Sequence, residues 1–398
     1  MTRTVSATLD QIRTPGRAAG ALDSPMLPAL AAWLGVRLIG KPQRFGKVLV
    51  AARHRHVAEL LARDLDFGIA PVNAGRMDAV NGAFVLGLDR GDQLATERRA
   101  LYAALASVDM QVVAARAGEE ADALLAAAGG SIDVVGGYAR LVAAGTARRL
   151  FGVSGPDETT FVEVIRAVFA HTFLNLGGDK AVEGRAVKAS ILMRAWLADE
   201  IARRRAGGAT GADVMGGLMR QPGLDDEAVR RTLGGMLVGS IDTTASAFAK
   251  IVYVMAKDPA MAASARRDAG DPVRLRGWCW EALRRWPHNP LIMREALADT
   301  TLAGVAVPKG RRVVAWTQAA MLDADAFPGP GLMRADRSPR AYLHFGGGLH
   351  PCAGRAVNDW QLPMLVGKLL QRGLGGVDRI SWAGPFPDHL TARLGAAR

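Results

Sequence analysis

The sequence predicts a mostly α-helical protein with small β-sheets, built as one large unit. Three observations carry this expectation. Apolar residues recur at helical spacing through most of the chain. Strand-like runs are few and short. No linker, internal repeat or low-complexity tract divides the 398 residues.

Taken in order, Met1 to Gly20 is polar and arginine-bearing and reads as a flexible lead-in (1–20), with the folded domain over 21–398. The apolar run from Pro25 to Gly40 is broken by prolines and Arg37, short of the roughly 20 continuous apolar residues a membrane span needs. No secretory pattern precedes it. Gln43 to Ala51 reads as a short strand, followed by a helix near His56 to Arg63. Helical periodicity then recurs over Met110–Ala128, Asp133–Phe151, Asp157–Leu174, Ala181–Arg205 and Asp225–Lys257. Asp225, Asp226 and Glu227 are an acidic helix start, and Lys257-Asp258-Pro259 a stop. Strand patterns return at Thr301–Val307 and Arg311–Thr317, joined by the turn Pro308-Lys309-Gly310. A last helix runs from Arg355 to Leu370.

Composition bounds the function. Hydrophobic residues at 49% allow a sizeable core. Two cysteines, Cys279 and Cys352, exclude a disulfide scaffold and fit a reducing cytoplasm. The net charge of +12 invites a nucleic-acid reading, but the arginines are dispersed and no aromatic-basic repeat, finger or P-loop accompanies them, so no nucleic-acid partner is expected. No dinucleotide glycine fingerprint follows a strand.

The segment from Phe345 to Gly354 carries the strongest chemical signal. Gly346, Gly347 and Gly348 can take backbone conformations closed to other residues, turning amides toward the sulfur of Cys352. Pro351 removes a competing donor, and the helix beginning after Gly354 brings its positive end beside the sulfur. Each feature stabilises a thiolate. The alternative for a lone cysteine beside a glycine turn is a buried structural thiol.

This loop resembles the haem-binding loop of the cytochrome P450 family, whose five fixed positions are met by Phe345, Gly348, His350, Cys352 and Gly354. Glu281 and Arg284 are similar to the family's Glu-x-x-Arg pair, with Arg337 available to complete its buried ion network. Gly239-Ser240-Ile241-Asp242-Thr243-Thr244 resembles the oxygen-binding part of the family's long central helix, which implies proton-delivering roles for Asp242 and Thr243. Ser240 stands where glycine is common, and its side chain either narrows the oxygen groove or adds a relay. The resemblance implies a cytochrome P450 fold, one large haem-enclosing domain holding heme b (iron protoporphyrin IX) with Cys352 as axial thiolate. It also implies propionate contacts from His350, Arg294 and Arg98, although Leu94 stands where a His or Trp is usual and Arg99 is an alternative donor.

By the same resemblance the substrate pocket draws on Gly68–Leu88, Ile165–Ser190, Leu233–Thr243 and His288–Met293. Its expected lining is Phe84, Val85, Phe173, Leu174, Leu237, Ser240, Asn289, Leu291 and Ile292. The implied activity is that of a soluble, cytoplasmic, bacterial-type monooxygenase inserting one oxygen atom from O2 into a hydrophobic small molecule: a fatty acid, terpenoid, steroid or secondary-metabolite intermediate. Electrons would come from a ferredoxin or flavodoxin with its reductase, docking near Arg355, Lys368 and Arg372. A peroxygenase or hydroperoxide isomerase of the same fold, and a non-enzymatic haem-based sensor, are the alternatives.

Overall fold

A computed structural model describes residues 9–395 apart from 18–19, 21–22, 24, 209–210 and 385. Helices make up 57% of the chain, so the mostly α expectation holds. They run α1 (Met26–Leu38), α2 (His54–Ala62), α3 (Ala70–Asp78), α4 (Asp92–Ala106), α5 (Met110–Ala127), α6 (Arg140–Phe151), α7 (Glu158–Phe169), α8 (Lys180–Ala206), α9 (Val214–Met219), α10 (Asp226–Lys257), α11 (Pro259–Arg267), α12 (Pro272–Arg285), α13 (Thr317–Ala320) and α14 (Arg355–Gln371). Asp side chains begin several of them. Asp225 accepts from the Ala228 amide at 2.7 Å and so satisfies one of the free donors at the start of α10.

The largest sheet has five strands in the order β2 (Gln43–Phe45), β3 (Val48–Ala51), β9 (Arg312–Ala315), β6 (Ile292–Ala296), β4 (Phe67–Gly68). The expected single strand over 43–51 is in fact a hairpin, because Gly46 turns the chain at φ +57. β3 and β9 pair in parallel with Val48 beside Arg312, and β9 pairs antiparallel with β6, which sets Arg294 opposite Val313. β7 (Thr300–Leu302) and β8 (Val305–Val307) form a separate hairpin. Two further sheets use strands the sequence pattern did not indicate: β5 (Ser131–Asp133) with β13 (Thr391–Leu394) and β10 (Leu374–Val377), and β1 (Gly16–Arg17) with β11 (Ser381–Ala383) and β12 (Phe386–His389).

The flexible lead-in needs correction where it is described. Ile12 is fully buried and Gly16–Arg17 pair with β11, because one isoleucine and two backbone rungs tie the segment down. Residues 1–8 lie outside the described residues.

Two hydrophobic cores meet along α10. Its buried apolar side chains from Val229 to Ile241 pack with α6 to α9, whereas those from Ala245 to Met255 pack with α12 and α14. Asp242, Thr243 and Thr244 fall between the two cores. That division positions the site.

Candidate haem-thiolate site

The glycine turn works as the sequence suggests. Gly346 and Gly348 sit at φ +68 and +65, and a Cβ on Gly348 would lie 1.7 Å from the Leu61 carbonyl oxygen. Only glycine lets the loop pass that close to α2. The Cys352 amide donates to the Phe345 carbonyl at 2.9 Å, closing the turn. Cys352 is exposed, yet protein closes around it densely enough that burial pushes its thiol pKa up. The amides of Gly354 and Arg355 face the sulfur and pull the other way, as a thiolate requires. Cys279 is fully buried in the core beside Trp280, and burial drives its thiol far up.

The loop is held from behind. Glu281 and Arg284, both with no exposed side-chain surface, form a two-pronged pair with N–O distances of 2.8 Å. Arg337 adds Nε at 3.3 Å from Glu281, and the Tyr342 hydroxyl donates to it at 2.7 Å. Burial alone would raise Glu281, but Arg284 outweighs it and the carboxyl stays below its ordinary value. Arg284 and Arg337 also donate to carbonyls of Pro328, Gly329, Pro330 and Leu332. The network therefore fastens the chain leading into Phe345 onto α12. Phe345 packs edge-on to Trp280 at 6.1 Å, with the Arg355 guanidinium against both rings.

On α10, successive residues point about 100° apart. Asp242 is buried and accepts from Arg140 Nε at 3.2 Å and Arg166 Nη2 at 3.2 Å. Thr244 turns toward α14, 3.2 Å from Asn358 Oδ1, and the Asn358 amide donates to Gly354 O at 3.0 Å. With its neighbours pinned on opposite sides, Thr243 is left half-buried between them, its hydroxyl donating to Gly239 O at 2.6 Å. No neighbouring atom lies within 4 Å of where a Gly239 Cβ would be. Ser240 is also half-buried, and its hydroxyl is occupied by Leu237 O at 2.9 Å.

A third group surrounds His350. Arg294 is 5% exposed on β6, and its one hydrogen bond among the described residues, at 2.9 Å, goes to the Met293 carbonyl beside it. Burial lowers Arg294 to about 10, and burial followed by the Arg294 charge lowers His350 to about 4. Arg98 adds to the same positive field. Leu94 and Arg98 line one side of a cavity of about 310 Å³ with Arg90, Tyr102 and Leu349.

Three comparisons bear on this arrangement. A family model described as cytochrome P450 matches residues 274–372, the stretch that contains Glu281, Arg284 and the Cys352 loop. The fold of open cytochrome P450 EryK from S. erythraea superposes with a TM-score of 0.78 over 96% of this chain and 98% of that one, at 24% identity. Residues 274–372 thus match the cytochrome P450 family, and the chain takes the fold of its members. Curated relatives include a mycinamicin IV hydroxylase/epoxidase from Micromonospora griseorubida, 29% identical over 62% of this chain and 61% of its own length. Another is a nocardicin C N-oxygenase from Nocardia uniformis subsp. tsuyamanensis, 30% identical over 62% of this chain and 60% of its own. The matched region thus spans about three fifths of these P450 relatives.

P450s are haem-thiolate proteins with a cysteine axial to iron, and the residues present here fit that group. Cys352 has two amides on its sulfur, and Arg294 is a buried cation that forms no salt bridge among the described residues, only a longer-range attraction to Asp89. Arg294, His350 and Arg98 would be available as donors to its propionates.

The pocket expectations divide. Leu291 is 42% exposed, and Ile292, Ser240 and Phe173 are half-buried, so these have open surface. Asn289 is exposed at the bend before β6, and Leu174 is exposed where a π turn ends beyond α7. Phe84, Val85 and Leu237 are corrected: at 2%, 8% and 0% exposure they belong to the packed core, Phe84 filling the groove that Gly235 leaves on α10. Of the residues expected at a docking patch, Lys368 pairs with the exposed Asp122 at 2.6 Å and Arg372 donates to the Gly395 and Gly129 carbonyls. Arg140 and Arg166, the partners of Asp242, were missed. Arg166 is flanked by apolar residues on a buried helix face, and such an arginine requires a carboxylate.

Proposed function

We propose that this chain is a haem-thiolate monooxygenase inserting one oxygen atom from O2 into a hydrophobic small molecule, with electrons from a separate ferredoxin or flavodoxin and its reductase. The observation that carries the reading is the pinning of the Asp242-Thr243-Thr244 turn to the Cys352 loop through Asn358 and Gly354. When bound, the haem supplies the oxidation chemistry, since thiolate ligation favours cleavage of the oxygen–oxygen bond.

The protein's share is geometry and protons. Gly354 and Arg355 amides stabilise the Cys352 thiolate. Arg294 and Arg98 would neutralise the propionates by the forked bonding that carboxylates accept, with His350 as a neutral hydrogen-bond donor beside them. Thr243 Oγ1 carries the proton nearest the substrate space. Releasing Gly239 O lets that hydroxyl donate its proton, and Asp242 would replace it with one taken up from solvent once Arg166 swings to Asp388 and frees the carboxylate. Asp242 is reached from outside through Arg166, which also holds the partly exposed Asp388 at 3.0 Å. An arginine changing carboxylate partners therefore opens a proton path without admitting water freely.

The half-open residues Leu291 and Ile292 support an apolar substrate. Relatives named for mycinamicin IV and nocardicin C favour a secondary-metabolite intermediate among the substrate classes considered. The test is the absorption of the reduced, carbon monoxide-bound protein beside Cys352→Ala. A strongly red-shifted Soret band in the wild type alone is expected, followed by product from a ferredoxin system and little from peroxide. A histidine-like band in the wild type would overturn the mechanism.

A further inference from the structure

Helix α1 is built inside out. Ala32, Gly35, Val36 and Ile39 face the protein, packing on Ala52, Ala319, Leu322 and Trp316, so tightly that a Cβ on Gly35 would lie 2.4 Å from the Trp316 ring. The opposite face should then be polar, as on an ordinary surface helix. Instead its exposed residues are Met26, Leu27, Leu30, Ala31, Trp33, Leu34 and Leu38, with Arg37 the single exception. Met26 and Leu38, at the two ends, are each 78% exposed, and Leu30 in the middle is 52% exposed. Among the described residues nothing covers this stripe.

The surroundings say what does. Residues 24–58 contain six lysines and arginines and no aspartate or glutamate. Four of these are exposed, Arg37 on the face itself and Lys41, Arg44 and Lys47 within ten residues after it, and none pairs with a carboxylate among the described residues. Arg37 lies against the Trp33 ring at 3.5 Å. After a four-residue turn, β2 is the edge of its sheet and exposes Phe45 by 55%. Apolar residues on one face, a basic rim and an aromatic at the border make the pattern of a helix lying in a lipid interface. A second copy is disfavoured by the same charges, since a twofold contact would set this basic rim against itself.

We propose that α1 and the β2 edge form a peripheral docking surface for an anionic lipid bilayer, with Leu30 and Leu34 entering the acyl boundary and Arg37, Lys41, Arg44 and Lys47 meeting the headgroups. No span is implied, as no helix among the described residues is long and apolar enough to cross a membrane. The surface is independent of the haem chemistry.

The experiment is flotation of the full-length protein with vesicles of phosphatidylglycerol and phosphatidylcholine, or of phosphatidylcholine alone, together with sedimentation velocity without lipid. Binding to the anionic vesicles, at least tenfold weaker on the neutral ones and weakened by salt, is expected. Leu30→Glu/Leu34→Glu should abolish it. Lys41→Gln/Arg44→Gln/Lys47→Gln alters exposed residues only, so folding is not at stake, and should weaken binding about fivefold for each charge removed (~1 kcal/mol per basic residue beside an anionic surface). A salt-insensitive dimer that Leu30→Glu/Leu34→Glu dissolves would overturn the proposal in favour of a second copy. Failure to bind anionic vesicles, or binding unchanged in both variants, would also overturn it.

Discussion

Replacing Lys250 by methionine should raise stability at neutral pH relative to what the lost contacts alone predict, and the benefit should vanish in alkali. Lys250 lies two turns after Thr243 on α10, is 8% exposed, and donates to the Pro287 carbonyl at 2.9 Å. Burial lowers its pKa from 10.5 to about 8, with Asp23 opposing weakly. At 1.36 kcal/mol per pH unit, the native state bears a penalty of about 3 kcal/mol for holding this ammonium at pH 7. Between pH 8 and 10.5 the unfolded chain binds the extra proton, so wild-type stability gains those ~3 kcal/mol as pH rises through the window. Methionine lacks that dependence. It also leaves Pro287 O without its donor, about 1–3 kcal/mol, and loses the ammonium contact with the Trp286 ring at 5.3 Å, about 1 kcal/mol. The two effects nearly cancel at pH 7, where the variant should lie within about 1–2 kcal/mol of the wild type. Toward pH 10.5 it should fall behind by ~3 kcal/mol more. Urea unfolding of both proteins at several pH values measures the difference, in which other lysines and tyrosines cancel. Parallel stability profiles across pH 8–10.5 would refute the argument. The bond to Pro287 also ties α10 to the segment His288–Met293, so Lys250→Met should change the substrate-induced spin shift as well.

Glu281→Gln should destabilise by roughly 3–5 kcal/mol in urea, because it strands the fully buried Arg284 without its carboxylate. Since Arg284 holds Glu281 below its ordinary pKa, the wild type should lose this contribution as pH falls below the usual glutamate value of about 4.3, while the variant shows a flatter acid limb. Gly348→Ala should prevent haem incorporation, read as absent Soret absorbance, since the new Cβ meets backbone of α2 at a positive φ. Asp242→Asn should lower turnover by about 10²–10⁴ with substrate binding intact, and Thr243→Ala should consume reductant and O2 but release peroxide in place of product. An unchanged product yield per reductant in Thr243→Ala would remove the proton role.

Signals that are local in the sequence proved legible, and those that depend on distant partners did not. The long helix Asp226–Lys257 was readable because its period and its acidic start are both local. The hairpin at 43–51 was blurred since a single glycine divides two strands whose apolar pattern is continuous. β1 and β11 each gain meaning only from the other, across more than 360 residues, and two-residue rungs leave no periodicity to read. At the site, Cys352 and its glycines stood out because close backbone approach demands glycine in the sequence itself. Phe84 and Leu237 misled because an apolar side chain looks the same whether it lines a pocket or fills a core; only the groove at Gly235 decides for Phe84.

Asp242 is the more instructive case. Its position within an apolar helix was visible, but its chemistry belongs to Arg140 and Arg166, which lie on two other helices. Those arginines could have been sought by asking which buried cations lacked a local carboxylate. Arg166 has Glu163 one turn before it at 3.8 Å, but burial raises Glu163 above its ordinary pKa and leaves it the weaker partner. Burial alone would lower Arg166, yet the Asp242 charge more than reverses this, so the guanidinium stays charged and its anchor must be the deeper acid. The same reasoning explains why the proposed proton path runs through Asp242. A carboxylate held by two arginines at the junction of two cores can exchange partners without disturbing either core, whereas an acid packed inside one core could not.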